Sequence, residues 1–176
     1  MAREVAANAG TPPREIVAYL LRLRPVLRHA IQVRRQFIEQ VGLLIEEVRR
    51  ADPITISRQA TRLGLETVPL FRDARSQVSS LMPPPECQGC NQAIAEWLDL
   101  QIAACGLLNE IGQRRDVRRV REVQEHLGGG RVHAVRFNDE YARIKEDLRA
   151  RVQRVLGPRR RKGGFLGFLS RLFDSA

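Results

Sequence analysis

The apolar pattern of this chain points to an all-α protein. The expected architecture is an antiparallel up-down-up-down four-helix bundle with long first and third helices and a short C-terminal amphipathic helix. Three features carry that expectation. Apolar residues recur in steps of three and four over most of the chain, with no strand-like alternation. Cap-plus-proline pairs, Thr11-Pro12 and Asp52-Pro53, open two of the periodic stretches. Breaker clusters at Pro83-Pro84-Pro85, Gly128-Gly129-Gly130 and Gly157-Pro158 separate the rest.

Residues 1–10 lack periodicity and read as a disordered N-terminus, and the bundle is expected over 11–156. The first helix starts at Thr11, read as its N-cap. Its seam runs Ile16, Leu20, Leu23, Leu27, Ala30, Arg34, Phe37, Val41, Leu44 and Val48, apolar at nine of ten positions. Val17, Ile31, Ile38 and Ile45 widen that seam, as suits a helix with two neighbours. Pro25 lies off the seam and predicts a kink rather than an end.

The second helix, capped by Asp52, carries two stripes out of phase. Ile56, Ala60 and Leu63 form one; Phe71, Ala74, Val78 and Leu81 form the other. Pro69 between them predicts a bend or break. The third helix begins near Pro85 and Glu86, with the seam Cys87, Cys90, Ile94, Trp97, Gln101, Ala104, Leu108 and Ile111. It is expected to run on through Val117, Val120 and Leu127 to the triple glycine, unless Gly112 divides it. A fourth helix follows from about Val132, with Phe137, Tyr141, Ile144 and Leu148, and ends at Gly157-Pro158.

Composition bounds the function. A chain of 176 residues holds one domain with a real core. Aromatics make up 5%, with Trp97 the single tryptophan, so the core is aliphatic. The net charge of +10 comes almost wholly from arginine, because Lys145 and Lys162 are the only lysines. Such a charge suits nucleic acid, anionic lipid or an acidic protein without choosing among them. The N-terminus carries no apolar signal segment, and the longest apolar run, Ile16–Leu21, is too short to span a bilayer. Three cysteines, an odd number, make no disulfide framework. The expectation is a cytoplasmic protein with reduced thiols, peripheral at a membrane where its tail docks there.

Several motifs invite chemistry. Cys87-Gln88-Gly89-Cys90 opens a helix, where the dipole favours a thiolate. Cys87 and Cys90 are therefore the candidate catalytic pair of a thiol-redox reading. The position four after the second cysteine, where a relay histidine would stand, is Ile94. Both cysteines also lie on the seam, where free cysteine packs as a small hydrophobe, and packing is the preferred reading. Zinc would need two further ligands, and Cys105 is about 22 Å along the helix from Cys90. His126 and His133 flank the triple glycine, and His29 lies inside helix one. A di-iron site needs Glu three residues before a histidine; Val26, Val123 and Gly130 stand there instead. No haem, nucleotide or metalloprotease motif occurs, so no cofactor is expected. Phosphotransfer at His29 is a weaker reading than a solvated histidine.

Arg34 and Gln101 interrupt apolar seams, as residues that set register or partner choice do. Arg114 to Arg121 is the densest basic stretch of the body. Read as a helix, it offers guanidinium groups to a polyanion or nucleic acid, although Asp116, Glu122 and Glu125 offset part of it and no aromatic is interleaved.

The C-terminus is the strongest candidate. A basic Gly/Pro linker, 157–163, contains Arg159, Arg160, Arg161 and Lys162. It leads into an amphipathic docking tail, 164–176, with Phe165, Leu166, Phe168, Leu169, Leu172 and Phe173 on one helical face. Burying these six side chains would yield about 10 kcal/mol before ordering costs, at roughly 1.5–3 kcal/mol each. Each basic residue adds about 1 kcal/mol at an anionic bilayer. A protein groove, an anionic membrane or the bundle itself could receive the tail. Its shortness and its lack of tryptophan favour a protein.

The resulting expectation is a non-enzymatic helical-bundle interaction or adaptor protein, recruited by its tail and self-associating through exposed apolar positions. Thiol redox at Cys87 and Cys90, and polyanion binding at Arg114–Arg121, are the alternatives.

Overall fold

The computed structural model describes residues 10–156, which form a bundle of four helices; no strand occurs among the described residues. They are α1 (Pro13–Glu47), α2 (Pro53–Ser80), α3 (Gln88–Arg114) and α4 (Val120–Leu156). Single 3-10 turns, Pro85–Cys87 and Val117–Arg119, lead into α3 and α4. The linker and tail, 157–176, lie outside the described residues, as does all but the last residue of the expected disordered N-terminus.

The helix lengths correct the sequence reading. At 35 and 37 residues, α1 and α4 are the long helices, and α3, with 27, is the shortest. Arg115 ends α3 in the left-handed conformation, φ 57°, the only positive φ of a non-glycine among the described residues. The Asp116 N–H closes that turn on the Ile111 carbonyl at 3.1 Å. Left-handed backbone costs a non-glycine roughly 1–2 kcal/mol, which the closed turn and the packing on either side offset. The triple glycine is therefore no turn: it lies inside α4. Its weak helix propensity, about 1 kcal/mol per glycine, is overridden by packing. Buried Val120, Val123 and Leu127 precede it, and buried Ile144 and Leu148 follow it.

The other breakers behave similarly. Both α1 and α2 continue through Pro25 and Pro69, so Pro69 does not break α2. The two out-of-phase stripes of α2 are one. Ile56, Ala60, Gly64, Thr67, Phe71, Ala74 and Val78 are all buried, with small residues bridging the gap. Asp52 caps α2 as expected, accepting from the Ile54 and Thr55 N–H groups at 2.9 and 3.0 Å. Thr11 does not cap α1. Pro12 occupies that position, and Thr11 instead donates its N–H to Glu86 at 2.9 Å.

The seam of α1 holds at Ile16, Leu20, Leu23, Ala30, Phe37, Val41 and Leu44, all buried. It widens on both sides: Tyr19, Val26 and Val33 are buried on the side not expected, and Val17 and Ile45 pack partly buried against the core on the expected one. Ile31 and Ile38 remain 44% and 38% exposed, and Leu27 is only partly buried. The expected seam of α3 is buried at every position, Gln101 included.

Helix pairing is set by close approach. A β-carbon at Gly112 would collide with the Thr61 hydroxyl, and one at Gly64 would stand 3.3 Å from Leu108. Arg75 pairs with Asp99 at 2.9 Å. Residue numbers thus fall along α3 as they rise along α2. The α3–α4 face runs the same way: Arg119 meets Glu110 at 3.0 Å and Arg136 meets Glu96 at 3.1 Å. Contact is broad between α2 and α3 and between α3 and α4, but thin between α1 and α4.

Candidate functional site

The CxxC pair sits where the sequence places it, at the start of α3. Cys87 and Cys90 are completely buried, and Cys105 is buried beside the seam. Burial pushes the Cys87 thiol up to about 11, aided by the neighbouring Glu86 carboxylate. It pushes Cys90 up to about 12, with Cys87 as the second cause, and Cys105 also up to about 12. Desolvation therefore outweighs the helix dipole, and all three are neutral thiols at physiological pH. The Tyr19 hydroxyl is buried in the same region and donates to Asn91 Oδ1 at 3.0 Å. Among the described residues no three His, Cys, Asp or Glu side chains converge as a metal-ligand set.

The basic stretch Arg114–Arg121 is a corner rather than one helix. It covers the end of α3, the left-handed Arg115, the 3-10 turn and the start of α4. Two of its cations are already engaged. Arg114 and Arg119 both reach Glu110 at 3.0 Å, and Arg119 also pairs with Glu122. These pairs tie the end of α3 to the turn that leads into α4.

The two polar seam residues meet α4 at its glycine segment. Arg34 donates from Nη2 to the Leu127 carbonyl at 3.5 Å, while its buried Nε has no hydrogen-bond partner. Burial lowers the guanidinium from its ordinary pKa. Gln101 is fully buried; its Nε2 donates to the Trp97 carbonyl at 3.2 Å and its Oε1 is unsatisfied. A β-carbon at Gly130 would stand 3.2 Å from both Gln101 Nε2 and Trp97 Cδ1. Glycine there lets α4 pass close over the amide.

Between α1 and α4 a groove of about 630 Å³ opens, floored by α3. Leu20, Leu23 and Leu27 come from α1, Ile94 and Trp97 from α3. On α4, Phe137 and Tyr141 stack with ring centroids 6.0 Å apart. Small residues, Gly128, Gly130 and Ala134, keep the α4 side low. The polar lining is one-sided in charge: Arg24, Arg28, Arg34, Arg131 and His133 line the groove, with no carboxylate among the described residues that do. Glu96, outside the lining, pairs with Arg136 and lies 3.0 Å from His133 Nδ1, though not aligned there as a hydrogen bond.

Sequence reasoning passed over this groove, yet its signal is present. Residues 16–38 hold five arginines and no acid, and residues 126–138 hold two arginines and two histidines and no acid. The fold sets these two acid-free segments on opposite walls. The proposed docking residues Arg159, Arg160, Arg161, Lys162, Phe165, Leu166, Phe168, Leu169, Leu172 and Phe173 lie outside the described residues. Among the described residues no helix is long and apolar enough to cross a membrane.

Comparison of the chain with protein-family models, curated proteins and solved structures gives no match.

Proposed function

We propose that the protein is a non-enzymatic interaction module: a helical bundle that acts as an adaptor and is recruited through its basic, amphipathic C-terminus. In this reading the four helices run up-down-up-down, in keeping with the opposite-running pairs on the α2–α3 and α3–α4 faces. The tail, 164–176, winds as a short amphipathic helix when it meets its receiver.

The observation that carries the proposal is the tail pattern itself. Six large apolar residues fall at helical spacing directly after Arg159, Arg160, Arg161 and Lys162. A protein groove is the favoured receiver, and an anionic membrane surface is the other. The state of the thiols supports a non-enzymatic role, since a redox cysteine needs thiolate character and access that buried, neutral Cys87 and Cys90 lack.

Truncation after Gly157 tests the proposal. The shortened chain is expected to lose its partner in pull-down or its membrane fraction on sedimentation, with helix content otherwise retained. A truncated chain with both profiles unchanged would overturn recruitment by the tail. Release from anionic vesicles by salt, with no protein captured, would assign the tail to the membrane.

A further inference from the structure

We propose that the groove between α1, α3 and α4 is a binding site for a single-chain anionic amphiphile, an alkyl chain with a carboxylate or phosphate head. This goes beyond tail-mediated recruitment and does not rest on it.

The volume decides the size class. About 630 Å³ lies within the roughly 300–1,000 Å³ of small-molecule sites. From Leu20 to Arg34 the α1 wall extends about 21 Å, at 1.5 Å per residue. That length accepts an extended chain of fatty-acid size. Ile94 and Trp97 make the floor apolar, and the Phe137–Tyr141 stack adds aromatic surface on the α4 wall.

The charge decides the head group. Two acid-free walls bring arginines to the lining from both sides, Arg28 and Arg34 on α1 and Arg131 on α4. Guanidinium forks match carboxylate and phosphate oxygens in paired hydrogen bonds. Arg34 already reaches α4 through the Leu127 carbonyl, which holds its guanidinium at the wall of the groove. The chain's own tail matches less well, because docking it would bring Arg159, Arg160, Arg161 and Lys162 towards a rim of like charge.

Trp97 lines the groove and is the only tryptophan, so its fluorescence reports occupancy of the site. The full chain is titrated with laurate and with dodecyl phosphate, each below its micelle concentration. Dodecanol and dodecyltrimethylammonium serve as the uncharged and cationic controls. The expected result is a saturable one-to-one change for both anions, with affinity at least tenfold weaker for the controls. Arg28→Glu with Arg131→Glu, both at exposed positions, is expected to weaken anion binding at least tenfold with the circular dichroism unchanged. Ala134→Leu, which fills an exposed position of the α4 wall, is expected to abolish binding of the chain whatever its head group.

Equal affinity for the cationic amphiphile, indifference to the double charge reversal, or no saturable Trp97 change would each overturn the proposal. A synthetic acidic amphipathic helix, or the 164–176 peptide, that shifts Trp97 where the alkyl anions do not would give the groove to a peptide instead.

Discussion

Gly64 on α2 rests against the Cys105 carbonyl on α3 so closely that a β-carbon at Gly64 would stand 2.6 Å from that oxygen. Gly112 does the same in reverse, with the Ser57 carbonyl 2.5 Å from where its β-carbon would be. The broadest helix contact of the bundle thus depends on two glycines that face backbone, which cannot step aside.

Alanine at these glycines therefore gives a prediction of sign. Gly64→Ala and Gly112→Ala force the helices apart and are expected to destabilise the fold by about 1–3 kcal/mol each. Gly106→Ala meets no atom within 4 Å and is expected to stabilise it by about 0.5–1 kcal/mol, the helix propensity difference. Urea denaturation of the three variants checks this. A stabilised Gly64→Ala would contradict the close α2–α3 approach.

The buried thiols predict alkaline sensitivity. Their folded pKa values lie above the ordinary 9.0, so the stabilising contribution is complete below about pH 9. It is lost as pH rises towards the folded values, about 11 for Cys87 and about 12 for Cys90 and Cys105. The melting temperature should fall between pH 9 and 12, and less steeply in a variant with all three cysteines changed to alanine. Thiol titration of the native protein at pH 7 should be slow at every cysteine and become fast in denaturant. A fast native thiol would return Cys87 and Cys90 to the redox reading.

Glu86 ties three chain segments at one end of the bundle. It accepts the Thr11 N–H at 2.9 Å and the Thr11 hydroxyl at 2.5 Å, and Arg151 of α4 lies 3.5 Å away. Arg151 also donates to the Thr11 carbonyl at 2.9 Å. The Thr11 hydroxyl is the first cause holding Glu86 below the usual carboxylate range. Stability from this lowered pKa is present above about pH 4.5 and declines as pH falls through the folded value. A double-mutant cycle with Glu86→Gln and Arg151→Met should show a coupling of about 0.5–1 kcal/mol at pH 7 that fades in acid. Coupling that persists after acid has protonated Glu86 would mean that charge has no part in it.

Gln101 offers the opposite test. Its Oε1 is buried without a partner, a state that costs about 1–3 kcal/mol. Gln101→Met keeps the shape and removes that group, so the thermal midpoint should rise. A fall would show that the amide oxygen is engaged in solution.

Much of the fold was legible in the residues. The Asp52 cap, the complete seam of α3 and the inner seam of α1 follow from spacing alone, because helix period and core burial repeat on the same scale. Failures cluster where a residue's intrinsic preference opposed its tertiary setting. Pro69 and the triple glycine read as breaks, yet α2 and α4 run through them. The stripes of α2 read as out of phase, yet buried Gly64 and Thr67 join them, and Gly64 lies against the Cys105 carbonyl of α3. Arg115, with no sequence sign of a left-handed residue, ends α3 and turns the chain.

Sequence alone determined that this chain is helical, that Cys87 and Cys90 lie on an apolar seam, and that residues 157–176 are basic and then apolar. These are properties of local order along one strand of residues. Which wall each helix shares, that a groove opens between α1 and α4, and that two acid-free segments face each other across it were decided only by the tertiary structure. The physical reason is that periodicity specifies a face but not its partner. Partner choice rests on how closely backbones can approach, and that is settled between residues far apart in the chain.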